Sequence, residues 1–442
     1  GGANIAIGYT ALQGHTTGHS NTAIGYEAMS DTDAATVLES DYNTAIGAYS
    51  MNGAWTTAVS EHNVAVGAQT MTGAMNGALR NTAVGYKSMN SVVSADFNTA
   101  LGYESLLDMT DGERNVALGY GAAENTVSGT HNTALGMGAL GTTTNALIGT
   151  VAVGYNAMGS GAVTTGANYA VAVGRDALAV LTGGAGNTAV GYQALTAVQT
   201  GTYNTAVGHQ AGDACTGDGN TLLGAIAGGA IIGGDGNTCI GQNAGDVITD
   251  GVNNTIVGAG SDPHASGAVN QTVIGYGATG IDNYFAVIGN EDTTRVYAGD
   301  DVGAVLYAGS ATVQTSDRRI KENIEDCELG LSFINKLKPV TYKKRQPEDY
   351  DESLKETLPW HREGKGLRTL NDTEKNKIRF GLIAQDVEAE LLDMNIDINN
   401  DIVENDTATG QYHLAYSKII APLVKAVQEL SQQVEELKAK VN

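Results

Sequence analysis

The apolar and polar positions of this chain fall into a pentad close to N-T-A-[IVL]-G, which dominates its first two thirds. Tight copies begin at Asn21, Asn43, Asn63, Asn81, Asn98, Asn115, Asn132, Asn187, Asn204, Asn220 and Asn237, and looser copies end at Gly8, Gly154, Gly174, Gly258, Gly275 and Gly289. The commonest spacing is about 17 residues, stretched to about 22 by insertions such as that from Asp31 to Ser40. Many copies continue Y-x-A-[LM], as in Tyr26-Glu27-Ala28-Met29. In an extended pentad the threonine and the aliphatic residue share one face and the alanine takes the other. The glycine suits a tight corner or a close backbone approach. The asparagine suits a turn, where its amide bonds the local backbone or ladders onto the next copy. Each unit is expected to hold two short extended segments. It cannot bury its apolar face alone, but stacked units can, which predicts a parallel β-solenoid of about 17 coils and about 80 Å.

The pattern ends abruptly. Of 59 glycines, 54 precede Ser316, whereas only five of 24 basic residues (Arg80, Lys87, Arg114, Arg175, Arg295) do. The predicted organisation is a repeat shaft over residues 1–298, a Gly/Ala/Thr-rich connector over 299–315, and a charged, mixed globular domain over 316–442. The last domain closes with Leu423, Val427, Leu430, Val434, Leu437 and Val441 at alternating spacings of four and three. This is the a/d seam of a helix expected from about residue 418. Its Val-at-a, Leu-at-d pattern alone favours dimers, and a helix packed on its own domain is the competing reading. Glu348 to Asn376, which includes Trp360 and His361, reads as a polar insertion.

A formal net charge of -24 argues against nucleic acid and against an anionic membrane as partners. No apolar run reaches 18 residues, so no membrane insertion is expected. Cys215, Cys239 and Cys327 match neither a metal-ligand spacing nor a disulfide framework and read as small apolar thiols. The chain opens without methionine inside a repeat, which raises the expectation of a preceding portion. Gly233 to Asn237 echoes a calcium-binding nonapeptide, but neither the nine-residue period nor the recurring aspartate is present, so no metal and no cofactor is expected.

The pentads resemble the N-[ST]-x-A-[IVL]-G repeat of trimeric autotransporter adhesin heads, a β-roll in which three chains pack side by side. The units here are longer. Ser316-Asp317-Arg318-Arg319-Ile320-Lys321-Glu322-Asn323-Ile324 resembles the S-D-x-R-x-K-x-x-I opening of the intramolecular chaperone of endosialidase family. Leu331 to Tyr342 resembles that family's helix-then-strand segment, Phe380 to Glu388 its G-x-I-A-Q-[ED]-V-E segment, and Tyr416 to Leu430 its terminal helix. The two resemblances together imply a mainly β protein: a parallel solenoid, trimeric, followed by a smaller α+β chaperone domain ending in a long helix.

The family resemblance implies autoproteolysis by a Ser-Lys dyad. Ser316 would attack the carbonyl of Thr315 and Lys321 would take the hydroxyl proton, with Asp317 and Arg318 as supporting residues. A lysine can serve as that base only if its pKa is lowered towards neutrality. The bland alternative is a solvated charged turn in which Ser316 or Asp317 caps a helix. The implied protein is a phage tail fibre or spike that attaches to a host, a virion component assembled in the host cytoplasm. Its partners would be two further copies, other tail or baseplate proteins and a host surface receptor, a glycan among the candidates. Two alternatives stand beside it. A depolymerase would need paired carboxylates flanking a cleft, and a bacterial surface adhesin would need a membrane barrel that this C-terminus lacks.

Overall fold

A computed structural model describes residues 2–15, 17–30, 39–55, 58–142, 146–293, 296, 324–352, 375–396, 402–406 and 411–441. The chain divides into two compact units, Gly1–Val296 and Tyr297–Asn442.

The first unit is a parallel β-solenoid. Every tight and loose pentad supplies one three-residue strand, from β1 (Ile5–Ile7) to β17 (Ala286–Ile288), and each strand pairs in parallel with the strands before and after it. Like residues pair with like, as in Thr82↔Thr99, Ala83↔Ala100 and Val84↔Leu101. The alternation expected within the pentad is seen in the burial. The central alanines, such as Ala23, Ala65 and Ala100, are fully buried, and their flanking residues point outward.

Among the described residues the expected second extended segment is reduced to single parallel bridges two residues before the asparagine position, which link Glu61, Leu79, Asp96, Glu113, Thr130 and Ile148 in successive coils. Y-x-A-[LM] is a turn in which two non-glycine residues per coil hold positive φ, for example Glu27 (51°) and Met29 (48°) or Gln193 (53°) and Leu195 (51°). Each such residue costs about 1–2 kcal/mol relative to an ordinary conformation. Hydrogen bonds between coils offset this, as in Glu27 N–H to Tyr9 O (2.9 Å) and Met29 N–H to Ser50 O (2.9 Å). The [LM] side chain then turns inward, so Met29, Met89, Leu106 and Leu195 are fully buried against the alanine column.

Near the end of the shaft the core exchanges its large and small positions. The central alanine becomes Leu222, Cys239, Ile256 and Val273, while the [LM] position becomes Gly212, Gly228, Gly245 and Asp262. A Cβ on Gly228 would lie 2.6 Å from Leu222 Cδ2, and one on Gly245 would lie 2.5 Å from Cys239 Sγ. The volume of each layer is thereby conserved.

The asparagines form an internal ladder. Asn98 Nδ2 donates to Asn81 Oδ1 (3.1 Å) and to Gly112 O (2.7 Å), while its Oδ1 accepts from Asn115 N–H (2.9 Å) and Asn115 Nδ2 (2.9 Å). Each buried amide is thus fully satisfied, which a position without water requires. The ladder lapses at Thr150, whose backbone N–H still reaches Asn132 Oδ1 (3.0 Å) but whose buried hydroxyl finds no partner among the described residues. The pentad glycines show both properties expected of them. Gly102 has φ +144°, and a Cβ there would meet Gly119 O at 2.3 Å.

The second unit contains α1 (Leu331–Lys336), β18 (Val340–Tyr342), β19 (Arg379–Gly381), α2 (Ala384–Asp393), β20 (Val403–Asp406), β21 (Gln411–Leu414) and α3 (Ile420–Val441). The pairs β18–β19 and β20–β21 are antiparallel. Phe333, Val387, Leu391, Ile402 and Val403 form the core. The long terminal helix expected from about residue 418 begins at Ile420 and is preceded by a 3-10 turn, Tyr416–Ile419.

Candidate functional site

Thr315, Ser316, Asp317, Arg318 and Lys321 lie outside the described residues, as do Trp360 and His361. Ile324, the last residue of the motif, is described, and the domain downstream of it forms the scaffold to which the motif is joined.

Three ties define that scaffold. The N-terminus of α1 is satisfied from a distance, because Leu331 N–H donates to the Glu429 carboxylate on α3 at 2.7 Å. Gly330 must be small here, since a Cβ would lie 2.4 Å from Glu429 Oε2. The F-G-L-I-A-Q-D-V-E stretch runs from β19 into α2, and the turn between them is held by Leu382 N–H donating to Tyr416 Oη at 2.8 Å. Gly381 is required beneath that phenol, where a Cβ would approach Tyr416 Oη to 2.4 Å. At the far end of α1, Lys336 Nζ contacts Asp393 (2.5 Å) and Glu390 (3.5 Å) on α2. The hydrogen bond from Lys336 holds the Asp393 carboxyl below the usual range, and the two carboxylates hold the Lys336 ammonium above its own.

The apolar seam of α3 is uncovered. Leu423, Val427, Leu430, Val434, Leu437 and Val441 are all exposed, Val441 to 85 %, while the neighbouring face buries Pro422 and Ala426. The reading in which this seam packs on its own domain is not supported, because α3 uses that neighbouring face for the purpose. On the shaft, the third strand position forms a column from Ile7 through Ile46, Leu118 and Leu223 to Ile288 in which each named residue is exposed. Across the first and third positions of all 17 strands there is no charged residue.

Beyond the glycine corner a second column is aromatic. Tyr86, Tyr103 and Tyr120 stack with centroids 5.2 and 5.0 Å apart, and Tyr9 and Tyr26 at 5.4 Å. The Y of Y-x-A-[LM] carries this signal in the sequence. The Glu429 and Tyr416 ties had no such signal, because their partners lie 98 and 34 residues away. The stretch that echoed a calcium repeat has a backbone role: Asp235 Oδ1 accepts from Asp218 N–H (2.7 Å), and Asp218 Oδ1 accepts from Thr202 N–H (2.6 Å). Among the described residues no three His, Cys, Asp or Glu side chains are grouped to hold a metal, and no helix is long and apolar enough to cross a membrane.

Residues 316–394 match the family model described as chaperone of endosialidase. The recognition anticipated from the Ser316–Ile324 and Phe380–Glu388 stretches therefore holds for this segment, which takes in α1, β18, β19 and α2. No curated protein matches the chain significantly. A β-solenoid joined to a chaperone-of-endosialidase segment is the build of a protein like a tail fibre or spike.

Proposed function

We propose that this chain is the shaft and C-terminal chaperone of a phage tail fibre or spike, a virion appendage that assembles as a homotrimer and serves host attachment. The observation that carries the reading is the pairing of a chaperone-of-endosialidase segment with a solenoid whose outward sheet face carries only aliphatic residues and threonine and no charge. In a chain of net charge -24, 34 outward strand positions without a charge, two in each of the 17 strands, call for a cover. Seventeen strands at about 4.8 Å and three residues at about 3.3 Å each give a face of about 800 Å2, the size one partner contributes to a standard interface. Two further copies of the same chain supply a matching uncharged face, and the uncovered a/d seam of α3 offers the same copies a second contact.

Within this reading the C-terminal domain trimerises first and sets the strands in register, because non-local parallel pairing between three chains is slow. Ser316 then attacks the Thr315 carbonyl while Lys321 takes the hydroxyl proton, the Thr315–Ser316 C–N bond breaks as that proton passes to the leaving Ser316 amine, and water hydrolyses the resulting ester. Loss of the aligning domain leaves the shaft kinetically trapped. Tail or baseplate proteins and a host receptor would be its remaining partners.

The test is the intact mass, under denaturing conditions, of the wild type beside Ser316→Ala and Lys321→Ala. A wild-type cut between Thr315 and Ser316 that both variants lack supports the dyad. An uncut wild type removes the protease role and makes the domain a permanent cap.

A further inference from the structure

Between Tyr120 and Tyr155 the aromatic column of the shaft is broken by a notch of about 240 Å3. Tyr120 stacks on Tyr103 on one side, but the next coil carries Met137 where the ring would continue, and the coil after that returns to Tyr155. Tyr120 and Tyr155 are two coils apart, about 9.6 Å at the usual strand spacing. Their facing sides have no aromatic partner among the described residues. Tyr120 is 56 % exposed, and Met137 and Tyr155 are 49 % exposed.

The floor is opened by glycine. The residue after the aromatic is Glu27, Lys87, Glu104, Gln193 or Gln210 in other coils, all at φ between 51° and 54°. In the two coils of the notch it is Gly121 (φ +59°) and Gly138 (φ +64°). The backbone does not demand glycine there, since side chains occupy the same conformation elsewhere, and a Cβ on Gly138 would meet nothing within 4 Å. What the two glycines change is the space above them.

Polar groups line the walls. The Glu124 carboxylate makes no hydrogen bond with the described residues, and burial together with Glu104 and Asp108 pushes its pKa up. Asn156 is held by Ser160 (2.9 Å) and Asp176 (3.0 Å), and Asn125 Nδ2 donates to Gly141 O. The notch thus offers the Tyr120 and Tyr155 rings with Met137 between them as an apolar surface, and amide and carboxylate groups for hydroxyls. Three carboxylates in one neighbourhood repel an anion.

We propose that this notch binds a single uncharged pyranose unit of a host surface glycan. The proposal rests on the fibre reading and names the chemistry of its receptor. The site lies on the turn beyond Gly119, Gly136 and Gly154, outside the strand positions of the uncharged sheet face.

The experiment is saturation-transfer NMR of the full chain with neutral trisaccharides ending in glucose, galactose, mannose or N-acetylglucosamine, beside the same ends carrying a sialic or uronic acid. Binding of a neutral member, with its acidic counterpart at least tenfold weaker, is the expected result. Gly138→Gln places in the notch the side chain that Gln193 and Gln210 carry at the equivalent position and should reduce binding at least tenfold. Gly277→Gln makes the same change at φ +58° in a distant coil, where a Cβ also meets nothing within 4 Å, and should leave binding intact. Circular dichroism verifies that both variants fold. Silence of the whole neutral panel at millimolar concentration, equal binding by Gly138→Gln, equal loss in Gly277→Gln or preference for the acidic members would each overturn the proposal. Mass and oligomeric state report on the fibre reading separately, so the failure of one is not mistaken for the failure of the other.

Discussion

Leu331 and Glu429 are 98 residues apart, yet the N–H of one donates to the carboxylate of the other at 2.7 Å. The bond joins the first helix of the family-matched segment to a terminal helix that lies beyond the match at residue 394. The acid supplies the partner that α1 lacks locally, since Gly330 has no side chain with which to cap it. Glu429→Ala should therefore destabilise the second unit by about 1–2 kcal/mol. Glu429→Gln, which retains an acceptor, should cost less than half as much. Urea unfolding of the full chain, followed by the helical circular dichroism that α1, α2 and α3 supply, would report the difference; equal midpoints for Glu429→Ala and wild type would refute the cap.

Asn98→Ala removes one rung of a fully satisfied ladder. Asn115 loses the acceptor of its backbone N–H and one of the two acceptors of its Nδ2, and Gly112 O keeps only the Asp96 N–H (3.2 Å). The expected loss is on the order of 3 kcal/mol, read as a lower thermal midpoint of the shaft. A surface asparagine changed in the same way, such as Asn290→Ala, should alter it little.

Asp262 gives the shaft an acid-side stability. Burial, then the neighbouring Asp246, raise its pKa, and Oδ1 is buried without a partner among the described residues. The unfolded value is near the ordinary 3.9. The folded state therefore favours the protonated form, and this contribution is present below the unfolded pKa and lost as pH rises through the raised folded value. Asp262→Asn should melt higher than wild type at pH 7, with the gap closing as the pH is lowered to about 4. A constant gap across that range would contradict the assignment.

Charges placed on the outward column separate folding from association. Leu101, Leu118 and Leu135 are aligned in successive coils and 40–44 % exposed. The triple change Leu101→Lys, Leu118→Glu, Leu135→Lys alternates sign and should leave the circular dichroism of the shaft unchanged. It should shift sedimentation towards monomer, and a variant that remains as large as wild type would remove the sheet face from the interface.

The strands were legible because the pentad states both the strand face and its glycine corner, and all 17 copies became strands. The asparagine ladder was legible for the same reason, since an amide at a fixed period has its own copy as a neighbour. Glu27 and Met29 were not, because nothing in their side chains asks for positive φ; only the inter-coil bonds that their N–H groups donate to Tyr9 O and Ser50 O impose it. The exchange of Ala for Leu222 against Met for Gly228 is written in the sequence but is visible only when the two positions are known to face each other. The family of residues 316–394 was readable from contiguous motifs. The mutual placement of Ser316 and Lys321 lies outside the described residues and rests on the motif alone.

The paired left-handed residues of each coil bear on how such a rod lives. A coil by itself carries the cost of Glu27 and Met29 with none of the bonds that relieve it, so a single coil is no stable seed and several must form together. The same arithmetic runs in reverse. An interior coil is clasped on both sides and cannot leave without stranding two neighbours, so unravelling proceeds from the ends.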